Sequence, residues 1–190
     1  MHDGSVARLR AVGPYERSLR AIVHALKYEK RKSLARPLGA RLAEAGAELL
    51  ADADALVPVP LHPWRQWRRG FNQAAALAAE LCRARAASHR QAPPVWSALK
   101  RRRATRPQTG LDGFTRRTNV QDAFTVAGWT LSRRGRWLRL IRGRVLLLID
   151  DVSTTGATLE ECAKVLHAAG AREVRALVVA RVPTTPASTR

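Results

Sequence analysis

Two adjacent carboxylates, Asp150 and Asp151, directly follow the apolar run Val-Leu-Leu-Leu-Ile at residues 145–149. A run of this length, rich in branched side chains, is typical of a strand that is buried on both faces of a parallel sheet. Ligands of open α/β sheets bind beyond the carboxyl ends of the strands, so we expect the acid pair to lie at a binding edge. Carboxylates at such an edge suit the hydroxyl groups of a sugar, or a metal ion bound to those hydroxyls.

A short loop of small and hydroxylated residues follows the acid pair. It comprises Ser153, Thr154, Thr155, Gly156, Ala157 and Thr158. Backbone N–H groups and hydroxyls at the start of a helix form a cradle for phosphate, so the whole motif favours a sugar phosphate ligand. A simpler interpretation is that Thr158 and Glu161 form a capping box and that the acids are solvated. It explains the start of a helix, but not two carboxylates directly after a buried strand.

The motif resembles the phosphoribosyl pyrophosphate (PRPP) signature of type I phosphoribosyltransferases, in order and without a gap. The resemblance implies that Asp150 and Asp151 hold the ribose hydroxyls, usually together with Mg²⁺. They are therefore the candidate catalytic residues and the candidate ligands of the metal. The resemblance also implies that the loop at residues 153–158 takes the 5′-phosphate.

Two further blocks extend the resemblance along the chain. Arg-Gly-Phe-Asn-Gln at residues 69–73 and the block from Arg103 to Phe124 occur in the order and about the spacing of the competence-associated ComF family. The resemblance covers roughly residues 15 to 182. It implies a single type I phosphoribosyltransferase-like α/β domain, with a central, mostly parallel sheet, helices on both faces and an N-terminal helical cap.

The same resemblance suggests residues for the leaving group. Val59, Pro60 and Leu61 correspond by order to the family's pyrophosphate loop, and Arg69 follows them. The alternative is that the prolines only end a strand and that the arginines coat a helix. Arg103 and Arg116 lie where the family has a flexible catalytic loop, and they are candidates to touch the diphosphate.

Three other side chains stay open to two interpretations. Lys27 either borders the acceptor site or is a solvated lysine. Trp64 and Trp67 share a helix face, where they either stack on single-stranded bases or belong to the core.

Length and composition predict one domain without a membrane span. The chain has 190 residues, and no apolar run approaches the ~20 residues that cross a bilayer. We expect residues 1–14 to be flexible, residues 15–182 to form the domain with a mobile basic loop at 127–143, and residues 183–190 to form a flexible tail. Many ComF proteins carry a Cys-rich zinc ribbon before the domain, but only Cys82 and Cys162 are present here, so we expect no zinc site. Two isolated thiols and the lack of a signal-peptide pattern predict a cytoplasmic protein.

The charge of the chain leaves two kinds of partner open. The formal net charge is +19. The segment from Lys100 to Arg144 contains thirteen basic residues and only two acidic ones, Asp112 and Asp122. The excess suits an anionic partner such as single-stranded DNA, or it only solvates the surface. The sequence therefore predicts a phosphoribosyltransferase that acts on an unidentified nitrogen acceptor. The alternatives are a non-catalytic PRPP sensor or a DNA-handling protein of the competence machinery.

Overall fold

The computed structural model describes residues 4–28, 31–102, 122–128 and 131–183, with only the backbone of Arg65 and Leu131. Its helices are α1 (Arg17–Tyr28), α2 (Ala35–Ala45), α3 (Ala47–Leu50), α4 (Pro63–Arg69), α5 (Gln73–Ala87), α6 (Leu131–Ile141) and α7 (Ala157–Ala168). Its strands are β1 (Arg8–Pro14), β2 (Ala55–Pro58), β3 (Leu99–Arg101), β4 (Phe124–Val126), β5 (Val145–Ser153) and β6 (Glu173–Arg181). A 3-10 turn at Lys32–Leu34 leads into α2.

Four strands form one parallel sheet in the order β1-β6-β5-β2. The apolar run lies in β5, where Leu148 pairs with Val57 of β2 on one side and with Ala176 of β6 on the other. Residues 145–149 are almost completely buried, as a central strand covered on both faces requires. The predicted α/β class with a mostly parallel sheet is therefore confirmed.

The side chains of β5 alternate between two hydrophobic clusters, one on each face of the sheet. Leu146 and Leu148 pack with α7 and the β3–β4 pair, whereas Leu147 and Ile149 pack with α1, α2 and α5. This alternation follows from the two-residue period of a strand. The sheet is thus covered by helices on both faces, as the sequence predicts.

A crevice opens between β2 and β5 because the chain leaves these neighbouring strands toward opposite faces. Of the helices that follow β2, α5 packs on one face of the sheet. The helix α7, which follows β5, packs on the other face. In open α/β sheets a crevice of this kind is where ligands bind. α1 ends beside it, in the position of the predicted N-terminal cap, since Lys27 and Tyr28 line the cavity there.

The N-terminal segment is ordered over half of the range that we predicted to be flexible. Arg8–Pro14 forms the edge strand β1, which pairs in parallel with β6 from Arg175 to Arg181. Leu9 and Ala11 pack against one cluster and Val12 packs against the other. The prediction was wrong because the apolar residues of β1 form only a short pattern that arginines interrupt. The strand is therefore recognised only by its pairing with β6.

The predicted mobile loop at residues 127–143 is also wrong, since most of it forms α6. Ile141 is fully buried, and the ring of Trp137 lies 6.1 Å from that of Trp96 between centroids. Gly135 lies inside the helix, where a Cβ atom would meet open space. The three glycines of this segment suggested a loop, but two apolar residues one turn apart are enough to dock the helix.

A second, two-stranded sheet flanks the crevice. β3 and β4 pair antiparallel, with Leu99 opposite Val126 and Arg101 opposite Phe124. The block that resembles the family's catalytic loop joins these two strands. Its candidates Arg103 and Arg116 lie outside the described residues.

Candidate functional site

The acid pair lies near the carboxyl end of β5. The strand continues to Ser153 and so ends later than the apolar run. Asp150 is half-buried and Asp151 is buried, with 7% of its surface exposed. Oδ1 of Asp150 accepts the backbone N–H of Asp151 at 2.8 Å, which fixes the first carboxylate. Because adjacent strand residues point to opposite faces, the two carboxylates flank the sheet edge from its two sides.

Lys27 of α1 forms an ion pair with Asp151, Nζ to Oδ1 at 2.7 Å. Burial favours the neutral amine, but the carboxylates of Asp151 and Asp150 outweigh that effect and raise the pKa of Lys27. The lysine therefore stays charged and neutralises part of the acid pair. Of its two interpretations, the solvated surface lysine is wrong, since only 19% of its side chain is exposed.

Asp150 ionises with difficulty in this environment. Burial, together with the neighbouring Asp151 carboxylate, raises the pKa of Asp150 to about 7, against the opposing effects of Lys27 and Arg101. A carboxyl group with a pKa near neutrality loses its proton readily when a cation binds beside it. Perturbed titration in a cleft is a common mark of a functional site.

A cavity of about 370 Å³ extends from the acid pair to the start of α5. Its walls come from α1, the segment after β2, α4, the N-terminus of α5, β3 and the start of α7. Four basic side chains and two acidic ones line it: Lys27, Arg68, Arg69, Arg101, Asp150 and Asp151. The lining is therefore predominantly cationic away from the acids.

The phosphate-cradle residues adjoin this cavity. Residues 150 and 152–159 surround a small hollow of about 10 Å³, which shares Asp150, Val152 and Thr158 with the main cavity. Gly156 precedes α7 with φ +79°, a conformation that favours glycine. Thr155 Oγ1 accepts the N–H of Ala157 at 3.4 Å. α7 begins at Ala157, so its N-cap residue is Gly156, which has no side chain to cap the helix. Thr158 already lies inside the helix, and its capping-box interpretation is therefore wrong.

The predicted pyrophosphate residues meet the acid pair in the same cavity. Val59, Pro60 and Leu61 line it, and so does Arg69. The N–H of Val59 donates to the carbonyl of Ile149 at 2.9 Å, which holds the segment against β5. The carbonyl of Val59 accepts Nδ2 of Asn72 at 3.1 Å, which holds it against α5.

The two α4 tryptophans lie outside the core. Trp64 is 57% exposed and lines the cavity, and Trp67 is 82% exposed. The guanidinium of Arg68 lies 5.6 Å from the ring centre of Trp64. Their interpretation as core residues is therefore wrong.

The donor set at the acid pair fits Mg²⁺ but does not complete its shell. Carboxylate oxygens are the ligands that Mg²⁺ prefers, and the ion usually takes the rest of its shell from water and substrate phosphates. Within the described part of the chain, no three His, Cys, Asp or Glu residues come together as a metal-binding cluster. Asp150 and Asp151 would therefore hold the ion only together with oxygen atoms of a ligand.

Comparison with known proteins identifies the family. Residues 68–189 match the family described as phosphoribosyl transferase domain. Competence protein F of Haemophilus influenzae is 33% identical over 175 residues, which cover 90% of this chain and 71% of that protein. The chain belongs to the ComF family of phosphoribosyltransferase relatives. DNA utilization protein YhgH of Escherichia coli K12, a second relative, is 33% identical over 184 residues, which cover 92% of this chain and 72% of that protein.

Among solved structures, glutamine PRPP amidotransferase from B. subtilis, complexed with ADP and GMP, resembles the ComF-family fold described here. Its sequence identity is 19%, the TM-score is 0.46, and the match covers 77% of this chain and 26% of that one. No helix within the described ranges is both long and apolar enough to span a bilayer.

The ComF-family cavity contains residues to which the sequence assigned no role. Asn72 and Gln73 end the Arg-Gly-Phe-Asn-Gln motif, and Arg101 ends β3; all three line the cavity. The motif was recognisable, but which of its residues face a ligand depends on where α5 begins. A polar pair at the start of an alanine-rich helix was the available signal, since asparagine is a strong N-cap residue.

Proposed function

We propose that this ComF-family chain binds PRPP with Mg²⁺ and transfers the phosphoribosyl group to a nitrogen nucleophile. The supporting observation is that the acid pair and the cationic segment line one cavity at the carboxyl edge of the sheet, and that the phosphate cradle lines an adjoining hollow that shares Asp150, Val152 and Thr158 with it. These three elements match the three chemical parts of PRPP, its ribose hydroxyls, its 5′-phosphate and its diphosphate.

In the proposed reaction the C1–O bond to pyrophosphate breaks and a C1–N bond forms. The nucleophile's proton leaves to water or to the departing pyrophosphate. Asp150 and Asp151 hold the ribose hydroxyls, and residues 153–158 hold the 5′-phosphate through backbone N–H groups at the start of α7. The segment at Val59 borders the leaving group and Arg69 neutralises it, because guanidinium groups bind phosphate oxygens in pairs.

Positioning and charge neutralisation supply the rate in this proposal. Fixed donors and cations that face developing negative charge stabilise the transition state without reorganising. Asp150 and Asp151 would hold Mg²⁺ together with the ligand, and the ion would supply further positive charge for the diphosphate. Lys27 keeps the acid pair partly neutralised before the ligand arrives.

A second candidate is a non-catalytic protein that senses PRPP or handles single-stranded DNA during DNA uptake. The favouring observation is α6, whose sequence Leu-Ser-Arg-Arg-Gly-Arg-Trp-Leu-Arg-Leu-Ile carries four arginines and no acid. The names of the two relatives, which refer to competence and DNA utilization, point the same way. Both candidates are assigned to the cytoplasm, in keeping with the two free thiols of Cys82 and Cys162.

Release of pyrophosphate separates the two candidates. PRPP and Mg²⁺ are incubated with ammonia, a panel of nucleobases and short single-stranded DNA, and pyrophosphate is measured for the wild type and for Asp150→Asn/Asp151→Asn. We expect acceptor-dependent release by the wild type alone. Binding of PRPP without release for any acceptor would favour the sensor, and equal release by the variant would contradict the assigned site.

A further inference from the structure

Gln73 is a buried polar residue in the wall of the cavity. It is the first residue of α5, it lines the cavity, and only 1% of its surface is exposed. Its Oε1 accepts Nη1 of Arg69 at 3.2 Å. Because a guanidinium only donates, the amide oxygen must face Arg69 and the amide nitrogen must face away from it.

The amide nitrogen of Gln73 lacks a hydrogen-bond partner within the described ranges. Buried amide groups are nearly always paired, so an unpaired donor in a cavity wall calls for a specific explanation. Arg69 lies between this amide and Tyr28, with its guanidinium 5.2 Å from the ring centre of Tyr28.

The surroundings of Gln73 select the chemistry of that ligand. Lys27, Arg68 and Arg101 line the same cavity, and like Arg69 they can only donate hydrogen bonds. The N-terminus of the 15-residue helix α5 adds the positive end of a helix dipole. Away from the two carboxylates, the charged groups of this cavity are all cationic donors, which favour an acceptor with negative charge, such as the oxygens of a diphosphate. A nitrogen nucleophile and ribose hydroxyls carry no negative charge, so they match these cations less well than a diphosphate does.

The position of α5 is fixed relative to the predicted pyrophosphate segment. Oδ1 of Asn72 accepts the N–H of Ala74 at 2.9 Å and caps the helix, while Nδ2 of the same side chain donates to the carbonyl of Val59. One side chain thus sets the distance between the start of α5 and the segment after β2. Gln73 and Val59 are held on the same side of the cavity.

We propose that Gln73 binds the diphosphate of PRPP, with Nε2 donating to a phosphate oxygen and Arg69 setting the orientation of the amide. This inference rests on the proposed function and adds a specificity-determining residue to it. It predicts that Gln73 distinguishes PRPP from ribose 5-phosphate, which lacks the diphosphate.

The test is a calorimetric titration of three ligands, PRPP, ribose 5-phosphate and inorganic pyrophosphate, each with Mg²⁺. Gln73→Glu replaces the amide donor by a carboxylate of the same shape, and Gln73→Met removes the donor without adding charge. Gln66→Glu is the matched control, because Gln66 is exposed on α4 and does not line the cavity. Thermal unfolding of each variant shows whether it is folded. If Gln73→Glu does not fold, the ligand affinities of Gln73→Met test the inference.

We expect Gln73→Glu to weaken PRPP and pyrophosphate binding about tenfold or more, and Gln73→Met to weaken both by a smaller factor. Ribose 5-phosphate binding should change less than about twofold in each, and the control should match the wild type. Unchanged pyrophosphate binding in both variants would overturn the inference but leave the proposed function standing. An equal loss for ribose 5-phosphate would also overturn it, because Gln73 would then support the site as a whole. Failure of the wild type to bind PRPP or ribose 5-phosphate would remove the proposed function itself, and the inference with it.

Discussion

Asp150 serves two opposing requirements at the scale of the single residue. Its charged form suits ribose hydroxyls and a divalent cation, yet its surroundings raise its pKa to about 7. A carboxyl group whose pKa is raised by folding stabilises the folded protein only while it is protonated. That contribution is complete below about pH 4 and disappears as the pH rises through about 7. The ligand-free protein therefore loses stability on the way to the pH at which its site is charged.

Asp150→Asn should remove this pH dependence. The asparagine Oδ1 can still accept the N–H of Asp151, so the local geometry is kept while the titrating group is removed. Relative to the variant, the wild type should lose about 2 kcal/mol of unfolding free energy between about pH 5 and pH 8. Chemical denaturation at both pH values measures this difference. Parallel profiles for the two proteins would show that Asp150 ionises normally.

Lys27→Met should destabilise the protein more than the loss of an exposed ion pair does. The variant leaves Asp151 buried without its partner at 2.7 Å, which should cost about 2–4 kcal/mol. Lys164→Met is the matched control, because its pair with Glu161 at 2.6 Å lies on the exposed face of α7 and should contribute less than about 1 kcal/mol. Denaturant unfolding compares them. Equal costs for the two variants would mean that the Lys27 pair is effectively solvated.

The sequence singled out the acid pair, but it did not predict that Lys27, a candidate border of the acceptor site, pairs with Asp151. Asp150, Asp151 and residues 153–158 are contiguous and follow a buried strand, so their type and order carry the signal. Lys27 lies more than a hundred residues away, and only the packing of α1 over the sheet edge brings it to Asp151. Contacts of this kind depend on tertiary structure and leave no local pattern.

At the scale of the element, two glycines allow the phosphate cradle to be tested apart from stability. Gly156 has φ +79° and Gly143 has φ +73°, and a Cβ atom at either position would meet open space. Alanine at each position should therefore cost a similar 1–2 kcal/mol, roughly, from backbone strain alone. Only Gly156→Ala changes the loop before α7, so only it should weaken binding of ribose 5-phosphate. Similar affinities in the two variants would argue against a phosphate site there.

The long elements of the fold were predictable and the short or interrupted ones were not. β5, α7 and β6 each carry a long apolar pattern of strand or helix spacing in the sequence. β1 has only seven residues, interleaved with arginines, and gains its place by pairing with β6. α6 carries a glycine at its centre and docks through Trp137 and Ile141, so its helical pattern is weak. Both were missed because their stability comes from partners distant in the chain.

At the scale of the whole molecule, the net charge of +19 should make any binding of nucleic acid strongly dependent on salt. If α6 binds single-stranded DNA, replacing Arg134, Arg136 and Arg139 by Gln should weaken that binding and flatten its salt dependence. Replacing the exposed Arg20, Arg36 and Arg41 of α1 and α2 removes the same charge from other elements. Fluorescence anisotropy with a labelled oligonucleotide over a range of salt concentrations compares the two triple variants. Equal effects would show that net charge alone, and no particular surface, governs DNA binding.

The central claim is that the carboxyl edge of β5 holds a ribose phosphate through Asp150 and Asp151. Its most direct test is a calorimetric titration of PRPP with Mg²⁺ into the wild type and into Asp150→Asn/Asp151→Asn, after unfolding curves have shown that both proteins are folded. We expect saturable binding by the wild type and a loss of affinity of about a hundredfold in the variant, because both hydroxyl acceptors and the metal ligands lose their charge. Equal affinities for PRPP in the two proteins would contradict the account.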